Sequence, residues 1–122
     1  MNPSALAKTA YNDAAAPVLN HRRTEYQAFA RVTHMLNLAG QDFPALAEAI
    51  HLNRRLWTLL ASDVADTDNF LPEELRARIF YLAEFTDQHS RKVLNREAEV
   101  DILIEINRAI LRGLGDPLGV QS

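Results

Sequence analysis

The sequence predicts an all-α protein, a small helical bundle of four main helices plus a short N-terminal helix. Three observations carry that expectation. Apolar residues recur at steps of three and four through most of the chain, which places them on one face of a helix. No stretch alternates apolar and polar residues with period two among β-branched side chains, as a strand would. Glycine is scarce: there are four, and Gly113, Gly115 and Gly119 fall within the last ten residues. The 122 residues suit one helical domain over 1–122, expected to fray at 1–3 and 116–122.

Residues 4–13 read as the N-terminal helix, capped by Ser4 or Asn2, with Leu6, Ala10 and Tyr11 as a thin apolar face. So short a helix needs something to dock against. Asp13–Asn20, with its alanines and Pro17, reads as a connector. Asn20 is then a cap for a helix running to Ala39, just before Gly40, with a core face of Tyr26, Phe29, Val32, Thr33, Met35 and Leu36.

The next helix spans Asp42–Val64, with Asp42 as N-cap and Pro44 in the tolerated first turn. Its stripe is Phe43, Leu46, Ile50, Asn53, Trp57, Leu60 and Val64, and Ala45, Ala49, Leu52, Leu56 and Leu59 form a second stripe beside it. Two adjacent apolar stripes require neighbours on two sides, so this helix is expected at the centre of the domain. Ala65–Phe70 is a polar break. Pro72 opens a further helix as a first-turn proline, with Glu73 and Glu74 favourably placed on the helix dipole. Its stripe is Leu75, Ile79, Leu82, Thr86, His89 and Val93, widened by Phe80, Tyr81 and Phe85. The last helix begins near Ala98 and ends at Gly113 or Gly115.

The last helix echoes the central one. Ala49–Leu60 aligns without gaps on Leu103–Leu114, matching Asn53 with Asn107 and Arg54 with Arg108. Each asparagine stands inside an apolar seam, and a buried unpaired amide costs roughly 1–3 kcal/mol, so each needs a partner. Either the two amides meet or each reaches a backbone carbonyl of a neighbouring helix. A structural polar pair, Asn53 with Asn107, is the favoured reading. A groove in which Asn-Arg holds a bound peptide is the sharper alternative.

Composition limits the function. Net charge is −3, whereas a general nucleic-acid binder is usually basic. There is no cysteine, which removes disulfides, thiolate catalysis and Cys-based zinc sites. No apolar run approaches the roughly 20 residues that span a bilayer, and the N-terminus lacks a signal-peptide pattern, so a cytoplasmic location without membrane contact is expected. His21, His34, His51 and His89 form no H-x-x-x-H pair. The Asp66–Asn69 run lacks the glycine and terminal glutamate of a calcium loop. There is no phosphate-binding glycine loop, and no serine stands in a nucleophile turn. The sequence therefore offers no catalytic residue, metal site or cofactor, and the chain is not expected to be an enzyme. What remains is apolar surplus suited to receiving another chain's helix in a groove. Trp57 and the Phe80/Tyr81/Phe85 cluster are candidate partner anchors. For Trp57 the core is the stronger reading; for Tyr81 and Phe85 both readings stay open.

At A-I-x-L-N-R-x-L-W-x-x-L-x-x-D (Ala49–Asp63) the sequence resembles the FlaF family of flagellar biosynthesis regulators. Supporting blocks follow in order: Tyr11, Glu25-Tyr26, Phe29 with Val32-Thr33, Phe70-Leu71-Pro72 with Leu75-Arg76-Ala77, and Leu103-Ile104 through Asn107-Arg108 to Gly113-Leu114. The resemblance covers about residues 6–115. One departure is His21-Arg22-Arg23-Thr24, where the family often has Pro-Arg and an acidic residue. The resemblance implies a cytoplasmic flagellin-binding chaperone that promotes flagellin synthesis and export by covering flagellin's terminal amphipathic helices. It also implies translational control alongside the regulator FlbT, and the alternative function is therefore post-transcriptional regulation of flagellin messenger RNA. Direct RNA contact is disfavoured by charge, although Arg54, Arg55 and Arg108 would give a small basic face. Tyr11, Arg54, Trp57, Tyr81, Phe85 and Arg108 are the expected partner-binding residues.

Overall fold

A computed structural model of the chain describes residues 16–115 apart from positions 67 and 70, with side chains from Tyr26 to Gly113. The expected helix over 4–13, with Tyr11, and the tail 116–122 lie outside the described residues, as do the side chains of Arg22 and Arg23. Four helices follow one another: α1 (Ala16–Ala39), α2 (Phe43–Ala65), α3 (Glu73–Leu94) and α4 (Asp101–Gly115). Among the described residues there is no strand.

Short connections make consecutive helices antiparallel neighbours. α1 packs on α2 and on α4, α2 packs on α3, and α3 meets α4 more sparsely. The order around the bundle is thus α1, α2, α3, α4, with α2 and α4 on one diagonal and α1 and α3 on the other.

Several boundaries differ from the sequence expectation. α1 begins at Ala16, so Asn20 is helical rather than a cap, and Pro17 stands in the first turn. There its missing N–H is harmless, since first-turn donors have no intrahelical acceptor. α3 begins at Glu73 with Pro72 as N-cap, one step earlier than a first-turn proline. α4 begins at Asp101, and Ala98 belongs to the connection that precedes it.

The ends are fixed by local chemistry. Asp42 caps α2, its Oδ1 accepting from the Ala45 N–H at 3.2 Å. Gly40, after α1, takes φ of 54°, a conformation costly for other residues. The turn between α2 and α3 is stapled by its own polar side chains. Asp66 Oδ1 accepts from Asp68 N and Asn69 Oδ1 from Leu71 N, both at 2.9 Å. Asn69 Nδ2 donates to the Asp63 carbonyl at 3.0 Å. The acidic run is therefore turn chemistry.

α3 ends in a Schellman motif: Glu97 N donates to Lys92 O at 2.8 Å and Arg96 N to Val93 O at 3.0 Å. The left-handed residue is Arg96, at φ of 63°, where glycine is usual. That backbone costs a non-glycine residue roughly 1 kcal/mol. The Arg96 guanidinium lies 4.4 Å from the Phe43 ring centroid, a cation–π contact that offsets part of the cost.

The core divides into two apolar clusters. One joins Val32, Leu36, Ala49, Ile50, Val93, Leu103 and Ile104. The other joins Phe29, Trp57, Leu60, Val64 and Ile79. Of the main α2 stripe, Ile50, Asn53, Trp57, Leu60 and Val64 are buried, and Phe43 and Leu46 are half-buried. The second stripe narrows toward its end, for Leu59 is 62% exposed. Tyr26 and Leu75, expected in the core, lie near the bundle rim and are exposed.

Candidate functional site

Between the two apolar clusters every helix contributes a buried polar residue: Thr33 from α1, Asn53 from α2, Thr86 and Ser90 from α3, and Asn107 from α4. The reason is visible along each helix. Asn53 lies between Ile50 and Trp57, and Asn107 lies one turn after Leu103 and Ile104. The polar positions thus form one layer across the bundle.

Hydrogen bonding fixes this layer's orientation. The Trp57 indole can only donate, and Nε1 donates to Asn107 Oδ1 at 2.9 Å. That turns the Asn107 Nδ2 group toward its other neighbours. It donates to Asn53 Oδ1 at 2.7 Å and to Thr33 Oγ1 at 3.1 Å. Thr33 in turn donates its hydroxyl hydrogen to the Phe29 carbonyl at 2.6 Å. Phe29 closes the arrangement by meeting Trp57 edge-on, with centroids 5.6 Å apart. One chain of donors and acceptors thereby locks α1, α2 and α4.

α3 is outside that chain. Among the described residues, Asn53 Nδ2, Thr86 Oγ1 and Ser90 Oγ are buried and have no hydrogen-bond partner in the protein. A buried polar atom without a partner costs about 1–3 kcal/mol, so the layer is satisfied on one side and costly on the other.

α3 is instead tied to α2 at the surface. Arg54, the residue after Asn53, donates to Asp87 Oδ1 from Nε at 3.0 Å and from Nη2 at 2.7 Å. Arg91 Nη2 donates to the other oxygen, Oδ2, at 2.9 Å. Arg76 Nη1 reaches the Val64 and Asp66 carbonyls, both at 3.3 Å. Over the α2–α3 seam runs an open groove of about 340 Å³. Its apolar part is Trp57, Ala61, Phe80 and Ala83, and its charged part is Arg54, Glu84, Asp87 and Arg91. The small side chains of Ala61 and Ala83 leave room for another backbone to come close. An adjoining hollow is lined by His51, Arg54, Arg55, Thr58, Leu59 and Asp87.

The expected site residues separate. Arg54 and Trp57 line the groove, although the Trp57 side chain is also a core residue at 2% exposure. Arg108 is exposed on α4, across the diagonal from Arg54, so the two arginines form no common basic face. Tyr81 is 65% exposed and points outward. Phe85 is half-buried and stacks on His89, with centroids 5.5 Å apart. His89 Nε2 contacts the Glu99 carbonyl at 2.8 Å. The Phe80/Tyr81/Phe85 group is consequently not one patch, and Phe80 alone faces the groove. Asp87, Arg91 and Ser90 were missed by sequence reasoning. The signal for Asp87 and Arg91 was their i, i+4 spacing on α3, which says that they pair but not that Arg54 joins them.

No three His, Asp or Glu side chains converge to hold a metal ion among the described residues. No described helix is long and apolar enough to cross a membrane.

A family model described as flagellar protein FlaF matches residues 7–114, nearly the whole chain. No curated protein and no solved structure gives a match.

Proposed function

We propose a role that starts from one premise: the chain belongs to the FlaF family, and its place is in flagellar biosynthesis. Within that place, the chain acts as a cytoplasmic chaperone of flagellin that promotes flagellin synthesis and export. The observation that supports this reading most is the groove between α2 and α3, with Phe80 at 45% exposure and Leu59 at 62% beside it. Single exposed apolar residues are ordinary, but here they flank an open channel whose lining includes tryptophan and alanine. Flagellin's terminal amphipathic helices, unpartnered before assembly, fit such a channel, and covering them limits aggregation.

Co-purification tests the reading. Full-length flagellin is expected to be retained, and forms lacking the terminal helices to be retained weakly or not at all. If no form of flagellin is retained, the chaperone reading is lost. Effects on translation, with FlbT or flagellin messenger RNA, then follow from sequestering the client. RNA added in excess is not expected to displace bound flagellin.

A further inference from the structure

We infer that the α2–α3 groove selects an amphipathic helix that carries a carboxylate at one end of its apolar stripe; this rests on the proposed chaperone role and specifies its client. The groove is polarised along its length. α2 contributes Arg54, then Trp57 and Thr58, then Ala61. The antiparallel α3 contributes Arg91 and Asp87 opposite Arg54, and Phe80 opposite Ala61. One end is therefore charged and the other apolar.

The charged end has more cation than it can use. Arg54 and Arg91 both donate to the single carboxylate of Asp87. Arg55 lines the adjoining hollow, is exposed, and makes no described hydrogen bond or ion pair with another residue. Glu84 lies further along the groove and has no described ion pair to the arginines. Three guanidiniums against the two carboxylates of Asp87 and Glu84 still leave a local positive excess in a chain whose net charge is −3. Arginine's planar fork matches carboxylates two bonds at a time, so spare donors at a groove rim favour an incoming Asp or Glu. Their spacing from the apolar floor requires that acid to sit about one helical turn from the partner's buried side chains. A second acid placed over Phe80 and Ala61 would face apolar side chains and lose hydration, with Arg76 one turn away already held by the Val64 and Asp66 carbonyls.

Purified monomeric flagellin is the probe, bound to the full-length chain and followed by titration calorimetry. The paired substitution Arg55→Glu with Arg91→Glu leaves the Arg54–Asp87 pair in place, so the fold is retained, as circular dichroism would verify. It is expected to weaken binding by about tenfold or more, the effect of setting like charges together at an interface. Arg31→Glu, at an exposed position on α1 outside the groove, changes net charge by the same sign and is expected to leave affinity within about twofold. Unchanged affinity in the double variant, with wild-type binding intact, overturns the carboxylate inference and spares the chaperone role. An equal loss in Arg31→Glu also overturns it, because the effect is then one of net charge. Failure of the wild-type chain to bind flagellin removes the chaperone role itself.

Discussion

Asn53-Arg54 on α2 and Asn107-Arg108 on α4 read alike in the sequence and do different work in the fold. Asn107 uses both amide hydrogens and its carbonyl, reaching three partners on two other helices from a site with no exposure. Asn53 makes one of those bonds as acceptor and leaves its own Nδ2 unpaired. The arginines reverse the order. Arg54 is held by Asp87 at the groove, whereas Arg108 is exposed on the far diagonal. A matched pair of letters thus divides into a keystone amide on α4 and a groove cation on α2. Similar helices acquire different roles from their neighbours, since α4 packs chiefly on α1 and α2 is flanked by both α1 and α3.

The comparison is broken most directly at the amides. Asn107→Leu strands the Trp57 N–H and the Asn53 carbonyl together, and should cost about 3 kcal/mol in urea unfolding. Asn53→Leu should cost only about 1 kcal/mol, because Asn107 keeps Trp57 and Thr33 and an orphaned donor disappears. Equal losses in the two variants would show that the asparagines are equivalent after all. Thr86→Val with Ser90→Ala is expected to raise stability by about 1 kcal/mol or more, since it removes two buried hydroxyls that have no protein partner. A large loss there would mean that α3 is bonded into the polar layer. Arg54→Ala should lower stability by about 0.5 kcal/mol, its ion pair being part-exposed and screened, while Arg108→Ala should be neutral within error.

Helix existence and the α2 stripe were legible because spacing alone decides which side chains share a face. Asn53 stands out against Ile50 and Trp57 on the bare sequence, and a buried amide demands a partner whatever the fold. The sequence was silent on which helix that partner would come from, and on the indole that orients it. Phe80, Tyr81 and Phe85 show the limit most clearly. They are near neighbours in sequence, but helical rotation sends Phe80 to α2, Tyr81 to solvent and Phe85 to His89. Periodicity identifies a broad apolar arc and not which part of it is met by a neighbour. The Asp87 bridge was hidden for a similar reason, as it depends on the register between α2 and α3. Arg96 carried no signal in the sequence, because glycine is the usual residue at a left-handed helix end.

Trp57 gives the molecule a built-in indicator light. It is the sole tryptophan, so all indole emission comes from one place. Its N–H is tied to the central amide of α4 while its ring forms part of the groove floor. Emission from the unmodified protein therefore reports two events on one channel: loosening of the bundle centre, and arrival of a chain in the groove. The two are separable by colour and brightness. Loosening lets water reach the indole and moves the emission toward longer wavelength, whereas a chain lying over the groove changes intensity and leaves the ring dry.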